Sequence, residues 1–267
     1  MNFLPGLEYP LALAVKCGTG FSANALPLPK PISAAYSMIP SVATALHNIQ
    51  TQCQQLFTVT TSRSGGPVDE SHARAHLPHP EWIPESVWQY ARAMNGLDIE
   101  WYQKNSEGEV LGTGKIYLQK IEDIYTEQDW AHDVDLEDPA FARMRVFQPV
   151  DYYDEVSWAG LFHDDARDPG LYMFISAEGM VPYPLHVDVE GYIALLEHTL
   201  GYGNWPWAIL ALLPNDGKNP VYQYNLNYTD KFRQRMQVLV PGFSYEAFVA
   251  CYDRVRLRNY SPSLIKT

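Results

Sequence analysis

The clearest pattern of hydrophobic and polar positions lies between residues 83 and 124. Apolar residues recur at i, i+3, i+4 and i+7 from Val87 to Met94, which predicts one face of an amphipathic helix. Asn95-Gly96 follows, and we expect this pair to end the helix, because glycine accepts the left-handed conformation of a C-terminal cap. Apolar and polar residues then alternate over 97–102 and again over 110–118, which predicts two strands joined by a polar turn.

Weaker patterns of the same kind predict the other elements. A helix is expected from Ser33 to about Phe57, either kinked at Pro40 or starting after Ser37. Residues 58–80 are expected to form a loop. The remaining predicted strands are 143–148, 156–162, 171–175 and an end at 184–189, and the remaining predicted helices are 188–200, capped by Asp188, 230–239 and 245–257.

The order of these elements determines the expected fold class. Strands and helices follow one another without regular βαβ alternation, which favours an α+β fold. We therefore expect a central, mainly antiparallel sheet flanked by helices. Gly65-Gly66-Pro67 is the strongest break in the chain, and it suggests an N-terminal arm, helix and loop over 1–80 and a main domain with a C-terminal helical tail over 81–267.

Residues 84–213 resemble the SUKH superfamily, also called the Smi/Knr family. The resemblance lies in a proline before a helix, then Asn-Gly-Leu, a strand with Trp, and Gly-x-Ile-x-Leu, and it is carried by Pro84, Tyr90, Asn95, Gly96, Leu97, Trp101, Gly114, Ile116, Leu118, Ile121 and Ile124. The helix at 188–200 followed by YGNWPW is also similar to that family. Many bacterial members are immunity proteins that bind and neutralise a toxin, including secretion-system effectors such as those of type VI, and fungal members are linked to cell-wall signalling. The resemblance thus implies a cytoplasmic immunity-type protein without catalysis.

Composition narrows the classes of partner. The formal net charge is −12 and the pI is about 5.0, so binding to nucleic acid is not expected, because phosphates would be repelled. Such a charge suits a basic protein partner through electrostatic steering, although it also fits simple solubility. The three cysteines are far apart without a CxxC pair, which favours a reducing compartment. Neither an export signal nor a membrane span is expected, and the predicted location is the cytoplasm.

Residues 122–138 contain eight carboxylates within seventeen residues, together with two aromatic side chains. Clustered carboxylates with an aromatic anchor suit a basic surface on a toxin domain. The alternative is a solvated acidic loop. The predicted partner-binding residues are Glu122, Asp123, Tyr125, Glu127, Asp129, Trp130, Asp133 and Asp135.

Patterns typical of catalysis or cofactors do not appear in the sequence. The sequence contains neither Gly-x-Ser-x-Gly nor a phosphate-binding glycine motif, so we expect no catalytic residues and no cofactor. His72, His76 and His79 have a spacing that binds metal on a helix, but Pro78 and Pro80 argue against a helix there. We therefore expect no metal site.

Two functions other than toxin binding stay open at this point. One is a regulatory scaffold, as the fungal relatives in the resembled family suggest. The other is a metal-dependent hydrolase, because carboxylates grouped around histidines bind divalent cations or act in acid–base catalysis. Its candidate residues are His163, Asp164, Asp165, Asp168, His186 and Asp188.

Overall fold

The computed structural model describes residues 40–125, 146–152, 157–162, 169–175, 182–203, 205–214, 221 and 228–257. The chain divides into two compact units, residues 1–33 and residues 34–267, and every described residue belongs to the second unit. This unit contains a seven-stranded antiparallel sheet in which each strand pairs with the next in sequence. The strands are β1 (Thr58–Ser64), β2 (Leu97–Lys104), β3 (Val110–Leu118), β4 (Phe147–Asp151), β5 (Ser157–Phe162), β6 (Tyr172–Ile175) and β7 (Pro182–Pro184).

Eight α-helices and one short 3-10 helix at Pro80–Trp82 accompany the sheet in the described part of the chain. The α-helices are α1 (Val42–Leu56), α2 (Glu70–His76), α3 (Glu85–Ala93), α4 (Ile121–Ile124), α5 (Val189–Thr199), α6 (Pro206–Leu210), α7 (Tyr228–Leu239) and α8 (Tyr245–Val255). Helices α1, α3 and α8 all pack against α5. The expected α+β class, with a central antiparallel sheet flanked by helices, is therefore confirmed.

Alternation along β2 and β3 separates a buried face from an open face of the sheet. On β2, Leu97, Ile99 and Trp101 are each at most 2 % exposed, whereas the residues between them are half-buried. Ile116 and Leu118 of β3 join the same core. A strand with side chains alternating between the two faces needs apolar residues on one face only, and the helices cover that face.

Trp101 joins the sheet to the helices. Its indole stacks on the Phe57 ring with centroids 3.7 Å apart, and its Nε1 donates a hydrogen bond of 2.6 Å to the Leu200 carbonyl at the end of α5. The indole also lies over Gly114 on the neighbouring strand, where a Cβ atom would collide with it. The chain after α5 is held by a further bond, from Lys115 N to Gly201 O at 2.9 Å.

Strand β4 contains a bulge. Pairing with β5 shifts register between Pro149 and Asp151, as expected where one extra residue enters a strand. Asp151 is fully buried, and its Oδ2 accepts a hydrogen bond of 2.8 Å from the Tyr192 hydroxyl of α5. The rings of Phe147, Phe162, Tyr172 and Phe174 form a second buried cluster.

The expected loop at 58–80 is wrong. Residues 58–64 form β1, which pairs antiparallel with β2. The Thr-rich sequence TVTTSRS gains there a partner strand that a local pattern does not reveal. Residues 70–76 form α2, whose first amides bond to the Asp69 carboxylate. Pro78 lies beyond the end of this helix, so it does not interrupt it.

Two helix ends differ from expectation in detail. Helix α3 ends at Ala93 with Met94 in an extended conformation, so Asn95-Gly96 is not the cap itself. Gly96 does have a φ of 101°, in the turn that leads into β2. Helix α1 begins at Val42 with the Ser41 side chain as its cap, and Pro40 therefore precedes it.

Several other boundaries follow the sequence pattern. Strands β5 and β6 match the expected ranges to within a residue. Of the expected strand at 143–148, residues 147 and 148 belong to β4, which continues to Asp151. Residues 143–145 lie outside the described chain. Helix α5 begins at Val189, directly after Asp188. The Asp188 carboxylate accepts a hydrogen bond of 2.8 Å from Gly191 N, so the expected cap is confirmed.

We predict that Gly114→Ala destabilises the protein by about 1–3 kcal/mol, because the new methyl group must displace the buried Trp101 indole. The matched control is Gly66→Ala, where a Cβ atom meets nothing within 4 Å and φ lies outside the left-handed region. The control should be neutral or slightly stabilising. Urea denaturation of both variants measures the difference, and equal midpoints would show that the Trp101 contact does not constrain the sheet.

We also predict a pH dependence from His198 on α5. Burial, assisted by Arg254, lowers the pKa of His198 to about 4, compared with about 6.5 in an unfolded chain. The unfolded state therefore binds the proton first, so the contribution of His198 to stability is complete above pH ~6.5 and is lost as the pH falls towards ~4.

His198→Gln is the variant that isolates this effect, because glutamine does not titrate. Between pH 7 and 4 the parent should lose about 1–3 kcal/mol more than the variant. The neighbouring Glu197 has a pKa raised by burial, which acts in the opposite direction, and the comparison with the variant cancels it. Parallel stability curves would contradict the prediction.

Candidate functional site

A groove of about 350 Å³ opens beside α4, where β1 and β3 end and β2 begins. We call it the strand-end groove. Its side chains come from four separate parts of the chain, and they include both charges and an exposed ring. The polar residues that line it are Arg63, Ser64, Asp98, Tyr117, Gln119, Lys120 and Asp123.

A buried network of hydrogen bonds fixes the floor of the groove. The Tyr90 hydroxyl, on α3, donates to the Gln119 carbonyl at 2.9 Å and accepts from Gly96 N at 2.8 Å. It therefore ties the turn before β2 to the segment after β3. The positive φ of Gly96 brings its N–H to that hydroxyl. The side-chain amide of Gln119 in turn donates from Nε2 to the Pro149 carbonyl at 2.9 Å.

Asn95 forms the second tie between these segments. Its Oδ1 accepts a hydrogen bond of 2.8 Å from Ile121 N, the first residue of α4. Its Nδ2 donates to Glu122 Oε2, also at 2.8 Å. The side chain of Asn95 is 8 % exposed. Asn95 thus fixes where α4 begins, and with it the position of Asp123 at the groove.

The charges of the groove are mixed. Asp98 pairs in register with Arg63 on β1 and with Tyr117 on β3. Burial, with a smaller contribution from Glu100, raises the pKa of Asp98, while Arg63 and Lys115 act in the opposite direction. The groove thus carries both cations and carboxylates, which favours a polar partner surface over an apolar ligand.

A row of aromatic rings extends from the groove across the outer face of the sheet. Tyr117 is 41 % exposed, and its centroid lies 6.3 Å from that of Tyr152. The Tyr152 ring meets the Trp158 ring at 5.5 Å, and Trp158 stacks on Phe174 at 4.9 Å. The row therefore runs from the exposed Tyr117 ring to the buried Phe174 ring, so a partner at the groove would touch an aromatic surface anchored in the fold.

Three of the predicted partner-binding residues are described. Asp123 lines the groove, and Glu122 is exposed beside it. Tyr125 is 5 % exposed and belongs to the main core, so contact with a partner would require its ring to leave the core. The other predicted residues, Glu127, Asp129, Trp130, Asp133 and Asp135, lie outside the described chain.

The hydrolase hypothesis rests on six residues, of which two are described. Asp188 caps α5 with its carboxylate. His186 has a φ of 57°, and burial, assisted by Arg256, lowers its pKa. His163, Asp164, Asp165 and Asp168 lie outside the described chain. Within the described ranges, no group of three or more His, Cys, Asp or Glu side chains is placed to hold a metal ion.

The two described cysteines are buried. Burial raises the pKa of the Cys53 thiol to about 12, and burial also raises the pKa of Cys251, with Arg254 acting in the opposite direction. Thiols react as thiolates, so both side chains fit a structural role.

Most of the groove is not predictable from the sequence. Arg63 falls in the segment expected to be a loop, and Asp98 and Tyr117 are polar-face positions of strands to which the sequence assigns no role. The signal that is present is the period-2 pattern, which places Asp98 and Tyr117 on the outer face. Asp98 and Tyr117 are neighbours because of the register between β2 and β3. A slip of one residue in that register would move the side chains of one strand to the opposite face of the sheet.

Comparisons of the chain with protein-family models, with curated proteins and with solved structures found no match. None of the helices in the described residues combines the length and the apolar composition needed to cross a bilayer.

We predict that Tyr90→Phe destabilises the protein by about 1–3 kcal/mol, because Gly96 N and the Gln119 carbonyl then lose their buried partner. The matched control is Tyr102→Phe, at a half-buried position on the outer face of β2, which should change stability by less than about 0.5 kcal/mol. Denaturant unfolding measures both variants. Equal losses would show that the Tyr90 hydroxyl does not hold the groove together.

Proposed function

We propose that this protein binds a partner protein at the strand-end groove and the adjoining acidic residues, and that the partner is a bacterial toxin domain that it neutralises. The observation that carries the proposal is the placement of Tyr117, Asp98 and Asp123 around one open groove. The resemblance of residues 84–213 to SUKH immunity proteins supports the choice of a toxin as partner. In this proposal the protein acts in the cytoplasm and does so without chemistry of its own.

Charge supports the attraction of a basic toxin surface. The chain carries a formal net charge of −12, and Glu122 and Asp123 begin the run of carboxylates next to the groove. Opposite charges on two proteins accelerate their encounter, and salt screens this effect over about 10 Å at 0.1 M ionic strength. The acidic residues therefore act mainly on the association rate.

The exposed tyrosine supports slow dissociation. Interface residues that contribute most of the binding energy are enriched in Trp, Tyr and Arg, and the groove presents Tyr117 and Arg63 together. Tyr117 is also held from one side by the Tyr152 ring. A ring that is already held in place loses less entropy when a partner covers it, so Tyr117 is the anchor in this proposal.

The test of function is neutralisation of a toxin domain encoded beside the gene for this chain. The domain is expressed from an inducible promoter with and without the full chain, and growth is recorded together with complex formation by gel filtration. The proposal expects growth to be rescued and a stable complex to form. Failure of both against every such domain would overturn it, whereas complex formation without rescue would support the scaffold alternative.

Substitutions at the groove test the mode of binding. We predict that Asp98→Asn with Asp123→Asn slows association with the toxin domain and reduces its salt dependence, and that Tyr117→Ala increases the dissociation rate at least tenfold. The charge-matched control is Glu107→Gln with Asp253→Asn, which removes two exposed carboxylates outside the groove. Surface plasmon resonance at 50 and 300 mM salt measures the rates.

A thermal melt of each variant separates lost binding from lost folding. The interface would lie elsewhere if the Asp98 and Asp123 variant associated at the same rate as the parent protein. The same would follow if its association rate fell no more than that of the control variant. The next surface to test would then be the acidic stretch beyond residue 125, through Asp129→Asn, Asp133→Asn and Asp135→Asn.

A further inference from the structure

Helix α2 presents two histidines on one exposed surface. His72 and His76 are four residues apart on the helix, and side chains at i and i+4 lie above one another on the same face. Both residues are exposed, and their ring centroids are 4.1 Å apart with an interplanar angle of 34°. Pro78 does not prevent a helix here, contrary to the sequence-based expectation, because α2 ends before it.

The hydrogen bond of His76 determines which of its ring nitrogens is able to bind a metal. Nδ1 of His76 lies 2.8 Å from the His72 carbonyl oxygen. A carbonyl oxygen only accepts, so Nδ1 carries the proton, and Nε2 of the neutral ring keeps its lone pair. A histidine that ligates a metal almost always donates its other N–H to a carbonyl, a carboxylate or water. The His76 ring has this arrangement.

The helix is held where the pair forms. Asp69 caps its first turn, and Glu70 bonds to Arg74 Nε at 2.7 Å within the helix and to Arg92 Nη1 of α3 at 2.6 Å. Arg74 also lies over the buried Trp88 ring, 4.3 Å from its centroid. These contacts are made by the side chains of Asp69, Glu70 and Arg74. Helix α2 therefore stays docked on α3 while the imidazoles of His72 and His76 face solvent.

We propose that His72 and His76 form a two-histidine site for a borderline divalent transition metal, of the class of Ni²⁺, Cu²⁺ or Zn²⁺. Imidazole nitrogens favour these ions, which they bind at about 2.0–2.1 Å, so two ligand nitrogens must approach to about 3 Å. Rings with centroids 4.1 Å apart are close enough for two of their nitrogens to reach that separation when the side chains rotate. Two protein donors leave the other coordination positions to water, which makes the site exchangeable rather than structural.

The test is a calorimetric titration of the untagged full chain with NiCl₂, together with electron paramagnetic resonance after addition of CuCl₂. We expect one saturable Ni²⁺ site and a Cu²⁺ spectrum with two nitrogen ligands. His72→Gln and His76→Gln should each weaken binding at least tenfold. MgCl₂ should not compete, because Mg²⁺ prefers oxygen ligands.

Two controls separate chelation from general binding to histidines. His47→Gln removes an exposed histidine from α1 and should leave the affinity unchanged. Exchange of two neighbours, Ser71→His with His72→Ser, keeps the number of histidines but places them five residues apart, about 140° around the helix, and should weaken binding at least tenfold. Equal melting temperatures in EDTA verify that all variants fold.

Two results would overturn the proposal. One is a Ni²⁺ isotherm that is the same for the parent and for the double variant His72→Gln, His76→Gln. The other is undiminished affinity in the exchange variant, because the metal would then not need the two imidazoles on one face of α2.

Discussion

The fold depends on how Trp101 is held. Its ring is covered by Phe57 from the end of α1 and by Gly114 from the neighbouring strand, and its N–H is bonded to the carbonyl at the end of α5. One side chain thereby fixes the first helix, the β2–β3 pair and the central helix relative to one another. The bond between the Trp101 N–H and the Leu200 carbonyl satisfies a buried donor and a carbonyl at the helix end together. The rest of the helical layer packs around α5 from that point.

The strand-end groove follows from the same packing at the other end of β2. Strand β2 enters the sheet at Leu97, directly after the turn that Tyr90 and Asn95 hold through buried hydrogen bonds. Buried polar groups are costly unless each has its partner, so this turn has one favourable arrangement. The groove side chains therefore stand on a rigid base, which is what a binding surface needs if it is to avoid ordering costs when a partner arrives.

The described structure also separates two surfaces with different chemistry. The groove and the aromatic row lie on the strand side, where Tyr117 and carboxylates meet. The histidine pair lies on α2, which an ionic network joins to α3. The two surfaces use different side chains on different elements. Protein binding at the groove and metal binding at α2 are therefore independent, and a separate measurement tests each.

Local patterns in the sequence determined most of the elements, because a period of two or of 3.6 residues directly reflects which side chains are buried. Strand β2, strand β5 and helix α5 with its Asp188 cap were all predictable in this way. Only the tertiary structure decided that 58–64 is a strand, since its partner β2 begins more than thirty residues later. It also determined which residues line the groove, because Arg63, Asp98 and Tyr117 become neighbours through strand register. No local pattern encodes the register between strands that are distant in sequence.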